Sequence, residues 1–300
     1  MPFPSSPRQQ LALDSPLPGF PRAACKAALI GALRRRNHFS RQSVRGSARA
    51  VVSMTSYGKR LDIVGHALES LAAGSVRPAR LILWVDEPAF VVSRYPMLQR
   101  LERRGLEILH CEDLGPYKKY YPYCSAYSRD NLPLVLADDD LLYPRRWLEV
   151  LLRAYNSSGP DEIPAYRAHR MHTLPDGTLG AYNNWRPAPV GSSSHANFLT
   201  GGAGVILPPR MQEAIRQAGT AFRELAPRAD DIWLNALAIR SGVQRRVINA
   251  EGQHLTLYPR SQGDALHNHN VGQGHNDVQL AAVFGPAEIA AVAAEMAGRP

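Results

Sequence analysis

The stretch Leu134-Val135-Leu136-Ala137-Asp138-Asp139-Asp140-Leu141-Leu142-Tyr143-Pro144 constrains the fold more than any other part of the chain. A short apolar run, opened by Pro133 and closed by three carboxylates, reads as a strand buried on both faces. Three anions cannot run through the middle of such a strand, because each would need a partner or a proton. They belong at its carboxyl end, where ligands bind in open α/β sheets. Strand alternation puts Asp138 and Asp140 on one side and Asp139 on the other. Two hard oxygen ligands facing one way, with room for substrate oxygens, suit Mg2+ or Mn2+. The competing reading is a solvated acidic turn, or an N-cap ahead of Pro144-Arg145-Arg146-Trp147. The buried run before the acids favours the metal.

Upstream, residues 50–55 read as a first strand and Ser56-Tyr57-Gly58-Lys59-Arg60 as a polar turn. Leu61, Val64, Leu68 and Leu71 then recur at helical spacing up to Gly74. Residues 81–85 form a second buried strand ending at Asp86-Glu87-Pro88, residues 95–104 a helix, and residues 106–109 a third strand. Trp147, Leu148, Leu151, Leu152 and Tyr155 mark the helix after the acidic turn. This alternation predicts an α/β chain with a mainly parallel sheet and helices on both faces. The polar ends of its first, second and fourth strands are expected to share one cleft.

Downstream, residues 163–172 are strand-like and Asp176-Gly177 signals a turn, which predicts a small antiparallel excursion. Residues 183–203 read as one long loop and 204–209 as a short strand. A helix opens at 229–234, two more strands fall at 243–248 and 254–258, and a terminal helix covers 286–297.

The net charge of +9 is unevenly placed. Residues 1–50 hold nine Lys/Arg against the single acid Asp14, so they carry +8 and the remaining 250 residues +1. The basic character belongs to the leader, which argues against nucleic acid as a partner. Six prolines in the first 22 residues predict disorder. Residues 24–33 read as a short helix with Arg34-Arg35-Arg36 at its C-terminal end, where cations suit the dipole. The segment 1–47 is expected to be a flexible basic leader whose removal spares the chemistry. A peripheral contact with an anionic membrane surface competes there with a solvated tail. Cys25, Cys111 and Cys124 give neither a disulfide framework nor a zinc pattern, so a reducing, cytoplasmic setting is expected.

Five pieces occur in an order that resembles the bacterial, family-2-like GT-A glycosyltransferases. They are Val52-Ser53-Met54-Thr55-Ser56-Tyr57 with Arg60, Leu114-Gly115-Pro116-Tyr117-Lys118-Lys119, and Ala137-Asp138-Asp139-Asp140 with Tyr143-Pro144. Gly201-Gly202-Ala203-Gly204-Val205 with Pro208-Pro209 and Ala229-Asp230-Asp231-Ile232-Trp233 complete the set. The resemblance covers about residues 50–280. It implies one GT-A-type, Rossmann-like domain over 48–300, with a nucleotide-binding half at 48–156, an acceptor-side half at 157–285 and a C-terminal helix at 286–300. It also implies a nucleotide-sugar donor, Mn2+ or Mg2+ on the D-x-D carboxylates, and a glycan or lipid-linked acceptor in cell-surface polysaccharide or glycolipid synthesis, with inversion at the sugar carbon.

Under that resemblance Asp138 and Asp140 hold metal and diphosphate, and Asp139 contacts ribose or sugar. Thr55, Ser56, Tyr57 and Asp86 surround the nucleotide, and Arg60 reaches phosphate or is a solvated helix-start arginine. Of the adjacent Lys118 and Lys119, only one is expected to face the cleft. Gly201, Gly202 and Gly204 allow close approach of a ligand or merely permit a turn. Asp231 and Asp230 are the catalytic candidates; Asp230 is expected to cap its helix, so Asp231, kept ionised by the helix N-terminus, is chosen over it as the base. Trp233 packs in the core or floors the sugar pocket. His267, His269 or His275 supplies a third metal ligand, His275 being the one assigned. The alternatives are a nucleotidyltransferase of similar sheet architecture, for which no glycine-rich phosphate loop is found, and a non-catalytic nucleotide-sugar or glycan-binding module.

Overall fold

The computed structural model describes residues 12–13, 22–127, 131–159, 161–249, 254–259 and 275–297. Its first half runs β1 (Ala12–Leu13), α1 (Arg22–Phe39), β2 (Ala48–Thr55), α2 (Val64–Ala72), β3 (Pro78–Val85), α3 (Pro96–Arg103), β4 (Glu107–His110), α4 (Tyr121–Tyr127), β5 (Leu134–Leu136), β6 (Leu141–Leu142) and α5 (Trp147–Ser158). The second half runs β7 (Glu162–Ala165), β8 (Ala168–Arg170), β9 (Arg186–Pro187), β10 (Ser193–Ser194), β11 (Asn197–Leu199), β12 (Val205–Leu207), α6 (Pro209–Ala218), α7 (Phe222–Leu225), α8 (Asp230–Arg240), β13 (Gln244–Val247) and β14 (His254–Leu257). Two further helices, His275–Val283 and Pro286–Ala297, follow.

One sheet in the order β10-β13-β7-β12-β5-β2-β3-β4 forms the centre. β5, β2, β3 and β4 pair in parallel, as uninterrupted apolar runs buried on both faces allow. β12 enters antiparallel between β5 and β7, and β13 lies parallel to β7. Alternation along each strand divides the core. Val51, Leu134 and Leu136 pack toward α4, α6 and α8, whereas Val52, Met54 and Val135 pack toward α2, α3 and α5. The chain steps outward from β2 through β3 to β4 and then returns to place β5 on the other side of β2. The β2–β5 boundary is therefore a topological switch point, the usual place for a ligand crevice.

The antiparallel excursion is the small sheet β11-β8-β9. Residues 183–203, expected to be one loop, hold β9, β10 and β11; strands of two or three residues are too short to show a period. A second small sheet, β1-β14-β6, closes over the acidic turn.

The basic segment departs most from expectation. It is helical from Arg22 and packed on the body from Leu33, not a flexible leader throughout. Leu33, Asn37 and Val44 are buried, and the Val44 N–H donates to the Arg104 carbonyl at 2.9 Å. Arg36 and Asn37 reach the buried Glu69 of α2. The charge run misled because residues that bury, Leu33 and Asn37, flank its three arginines. Among the described residues no single helix is long and apolar enough to cross a membrane, and the three cysteines are free.

Candidate active site

A cleft of about 790 Å³ opens at the carboxyl ends of β2, β3 and β5. That size is ordinary for a small-molecule site. β5 ends at Leu136, so Asp138, Asp139 and Asp140 stand on a turn and not in the strand. The expected two-residue alternation therefore does not carry through them. Asp138 turns toward Lys119, with Oδ1 3.4 Å from Nζ. Asp139 is 6 % exposed and accepts from Ser56 Oγ at 2.7 Å and Arg60 Nη1 at 2.6 Å. Arg60 also reaches Asp140 at 3.5 Å. Tyr143 pins the turn, its hydroxyl accepting from the Asp138 N–H at 2.6 Å. Burial raises the Asp139 carboxyl against the opposing Arg60. Burial, reinforced by Asp138 and Asp139, pushes Asp140 up to about 6.

Lys118 and Lys119 both line the cleft, correcting the expectation that only one can. They sit on the 3-10 turn Gly115–Lys119, where successive side chains diverge by about 120°. Ser53 Oγ fixes the turn by donating to the Lys119 carbonyl at 2.6 Å. Lys118 reaches Asp86 and, at 2.8 Å, Asp113; its ammonium also lies 5.4 Å from the Tyr57 ring centre. Lys119 bridges Asp138 and Asp230, at 3.4 and 2.9 Å. Burial works against its charge, but Asp138, Asp230 and Asp231 outweigh it and hold the ammonium well above the usual lysine range.

Asp230 is not the expected cap. Ala229 is the N-cap of α8 and no side-chain cap bond forms there; the Asp230 carboxylate turns to Lys119 instead. Asp231 accepts from the Gly201 N–H at 2.9 Å. Burial, then the neighbouring Asp230 charge, push its carboxyl up to about 7. The helix N-terminus does not keep it fully ionised, because burial is the larger effect. Asn235 ties this corner together, donating to the carbonyls of Asp231 and Leu199 and accepting from the Leu199 N–H.

The Gly201-Gly202 pair is bare because carboxylates press on it. A Cβ at Gly201 would lie 3.1 Å from Asp231 Oδ1 and 3.2 Å from Lys119 Nζ, and one at Gly202 would lie 2.7 Å from Asp138 Oδ2. Gly204 has a different reason. It has φ +121°, and its missing Cβ makes room for the Trp147 indole, so it serves packing and does not line the cleft. Trp233 is likewise in the core, 2 % exposed against Phe222, and does not floor the pocket. Ser56 is buried behind Asp139, while Thr55, Tyr57, Arg60 and Asp86 line the cleft. His275 is exposed at the start of its helix and outside the cleft lining, so it is not a third ligand here. His267 and His269 lie outside the described residues.

Among the described residues no group of three or more His, Cys, Asp or Glu gathers around one point. The cleft lining nevertheless holds seven carboxylates (Asp86, Asp113, Asp138, Asp139, Asp140, Asp230, Asp231) against five cations (Arg60, Lys118, Lys119, Arg167, Arg228). With every acid ionised that is a surplus of two negative charges, and with Asp138 and Asp140 both on the wall it fits a divalent cation that takes its remaining ligands from phosphate and water. Sequence reasoning missed Asp113, Arg167, Tyr182, Phe198 and Thr200, which also line the cleft. They stand singly, between or beside short strands, and carry no motif.

No known protein family matches the chain, and no curated protein matches it. Solved structures do show a likeness. A mannosyltransferase from Pyrobaculum calidifontis, in complex with GDP-Man and Mn2+, is 12% identical over 92% of this chain and 87% of its own, with a TM-score of 0.47. TarS of S. aureus, residues 1–349, is 11% identical over 84% of this chain and 71% of its own, at 0.49. An inositol-1-phosphate CTP transferase from T. maritima is 13% identical over 78% of this chain and 98% of its own, at 0.43.

Proposed function

We propose that the chain is a metal-dependent glycosyltransferase that moves a sugar from a nucleoside-diphosphate donor to an acceptor hydroxyl with inversion, in cell-surface polysaccharide or glycolipid synthesis. The observation that carries this reading is the pairing of two unlike acid groups in one cleft. Asp138 and Asp140 line the cleft with long contacts to Lys119 and Arg60, at 3.4 and 3.5 Å, and Asp231, raised to about 7, stands across Gly201-Gly202 from Asp138. Asp138 and Asp140 would hold Mn2+ or Mg2+, which would supply positive charge against a departing diphosphate.

The chain's own residues do the rest. Lys118 and Lys119 add fixed positive charge at the leaving-group side. Arg60 and Ser56 hold Asp139 so that the acidic turn keeps its shape. Asp231 accepts the proton of the attacking hydroxyl as the acceptor oxygen bonds to the sugar carbon and the carbon–oxygen bond to the diphosphate breaks. A base with a pKa near 7 is poised for that transfer at neutral pH. The products are a nucleoside diphosphate and the glycosylated acceptor. Asp86, Lys118 and Tyr57, on the other half of the cleft, are suited to the nucleotide.

The test is release of nucleoside diphosphate from a panel of nucleotide sugars with Mn2+, with Mg2+ and with a chelator. Release that requires the cation and falls at least a hundredfold in Asp138→Asn is expected. Release independent of both sinks the proposal.

A further inference from the structure

Arg167 differs from three other cations of the cleft, Arg60, Lys118 and Lys119. Arg60, Lys118 and Lys119 each reach two carboxylates. Arg167, half-buried in the cleft wall between β7 and β8, makes no ion pair among the described residues. Its Nε donates to Thr200 Oγ1 at 2.7 Å, and its carbonyl accepts from the Thr200 N–H at 3.1 Å. That leaves four of five guanidinium N–H groups for a ligand. A guanidinium steadied by a neutral hydroxyl in a ligand cleft is a receptor for a carboxylate or phosphate.

Its place in the cleft says which substrate it meets. Thr200 precedes Gly201, whose N–H binds Asp231. Tyr182 lines the same cleft as Arg167 and Asp231, and burial, then the Asp231 charge, push its phenol up to about 12 while Arg167 opposes them. Tyr182 and Phe198 meet edge to face at 5.6 Å and are backed by Trp185, 5.0 and 5.1 Å from their centres. A rigid aromatic wall of this kind suits the apolar face of a sugar ring. Base, guanidinium and wall thus lie together.

We propose that Arg167 recognises an anionic group on the acceptor, a carboxylate or a phosphate carried near the attacking hydroxyl, while Tyr182 and Phe198 hold the acceptor's ring. This rests on the reading of the cleft as a sugar-transfer site. The acceptor class is therefore an acidic or phosphorylated glycan and not a neutral one.

The test titrates the full chain calorimetrically with three probes that share a ring: methyl β-glucoside, methyl β-glucuronide and glucose 6-phosphate. UDP or GDP with Mn2+ is titrated in parallel. At least one anionic probe should bind about tenfold or more tightly than the glucoside, and the one preferred separates carboxylate from phosphate. Arg167→Gln should erase the preference, Arg167→Lys should keep part of it, and neither should alter nucleoside diphosphate affinity. Equal binding of all three probes overturns the proposal. So does loss of nucleoside diphosphate affinity in Arg167→Gln, which would make Arg167 a donor residue. If the wild type binds neither UDP nor GDP, the transfer reading fails, while an Arg167-dependent preference for anions would still establish the anion site.

Discussion

Two groups of buried acids in this molecule are treated in opposite ways. Glu69 of α2 is fully buried and surrounded by cations and amides: Arg104 at 2.7 and 3.2 Å, Arg36 at 3.0 Å and Asn37 at 3.0 Å. Two guanidiniums serve one carboxylate, and they arrive from α1 and from the end of α3. In the cleft the ratio reverses, with seven carboxylates, all but Asp113 at least partly buried, to five cations, and burial raises the carboxyls of Asp140 and Asp231 to about 6 and about 7. An acid that only holds elements together is neutralised from within the chain. A region that leaves buried acids short of cations carries a cost that folding alone does not explain, and such regions are candidates for ligand chemistry.

The comparison breaks first at Asp231. Asp231→Asn removes the base and leaves the Gly201 contact possible through the amide oxygen. We expect turnover to fall by about 10²–10⁴-fold, with nucleoside diphosphate and Mn2+ binding unchanged. In the wild type, activity should rise with pH through about 7 and then level, because the base acts only when deprotonated. A single-turnover assay on both proteins decides. An Asp231→Asn enzyme with normal turnover would move the base elsewhere in the cleft.

The opposite change is Glu69→Ala. It strands Arg104, whose side chain is 5 % exposed, beside Arg36 with no carboxylate. Loss of one partner from a buried pair costs about 3–5 kcal/mol, so urea unfolding should shift by that much. Activity per folded molecule should be unaffected. A loss below about 1 kcal/mol would mean that the cluster does not hold α1. Deletion of residues 1–47 removes the Arg36 and Asn37 contacts to Glu69 while leaving Arg104, and should destabilise the chain, contrary to the expectation of a dispensable leader.

These two regions also differ in how far the sequence exposes them. The acidic turn was legible because a buried run ending in three carboxylates has few physical solutions. The parallel pairing around β2 followed from the apolar runs, though the strand order did not, and the terminal helix falls where its composition put it. The roles of Asp230 and Gly204 were not legible, because each is decided by a distant partner, Lys119 and Trp147. Both lysines face the cleft because of a 3-10 turn, which adjacency alone does not reveal. The Glu69 cluster joins residues 32 to 35 positions apart in sequence, and its cations read as a solvated charge run until their carboxylate is found.

A smaller effect is expected at Gly202. Its φ is ordinary, so alanine strains no backbone, but the added Cβ would lie 2.7 Å from Asp138 Oδ2. The carboxylate must move, since it is the more exposed partner. Gly202→Ala should weaken Mn2+ binding by about tenfold, as displaced supporting groups do. Stability should change by about 0.5 kcal/mol or less. A stability loss with unchanged Mn2+ affinity would place Gly202 with the packing glycines such as Gly204.

The finest test asks whether Asp231 burdens the fold as the comparison requires. Its carboxyl lies at about 7 in the folded chain against about 3.9 when unfolded. An acid with a raised folded pKa keeps its proton longer in the native state. Below about pH 4 both states are protonated and the group contributes no difference. Between about pH 4 and 7 the unfolded chain has lost its proton while the folded chain retains one, so stability falls as pH rises. Above about 7 both are ionised and the cost is constant. Asn has no such titration and still offers an oxygen to the Gly201 N–H. Asp231→Asn should therefore match the wild type near pH 4.5 and exceed it near pH 8. We expect about 1–2 kcal/mol there, a figure reduced from the full shift because the side chain remains partly in solvent. Urea unfolding at the two pH values measures this. If Asp231→Asn is instead less stable than the wild type at pH 8, the Gly201 N–H and Lys119 fully compensate the ionised carboxylate, and Asp231 belongs with Glu69 as a structural acid.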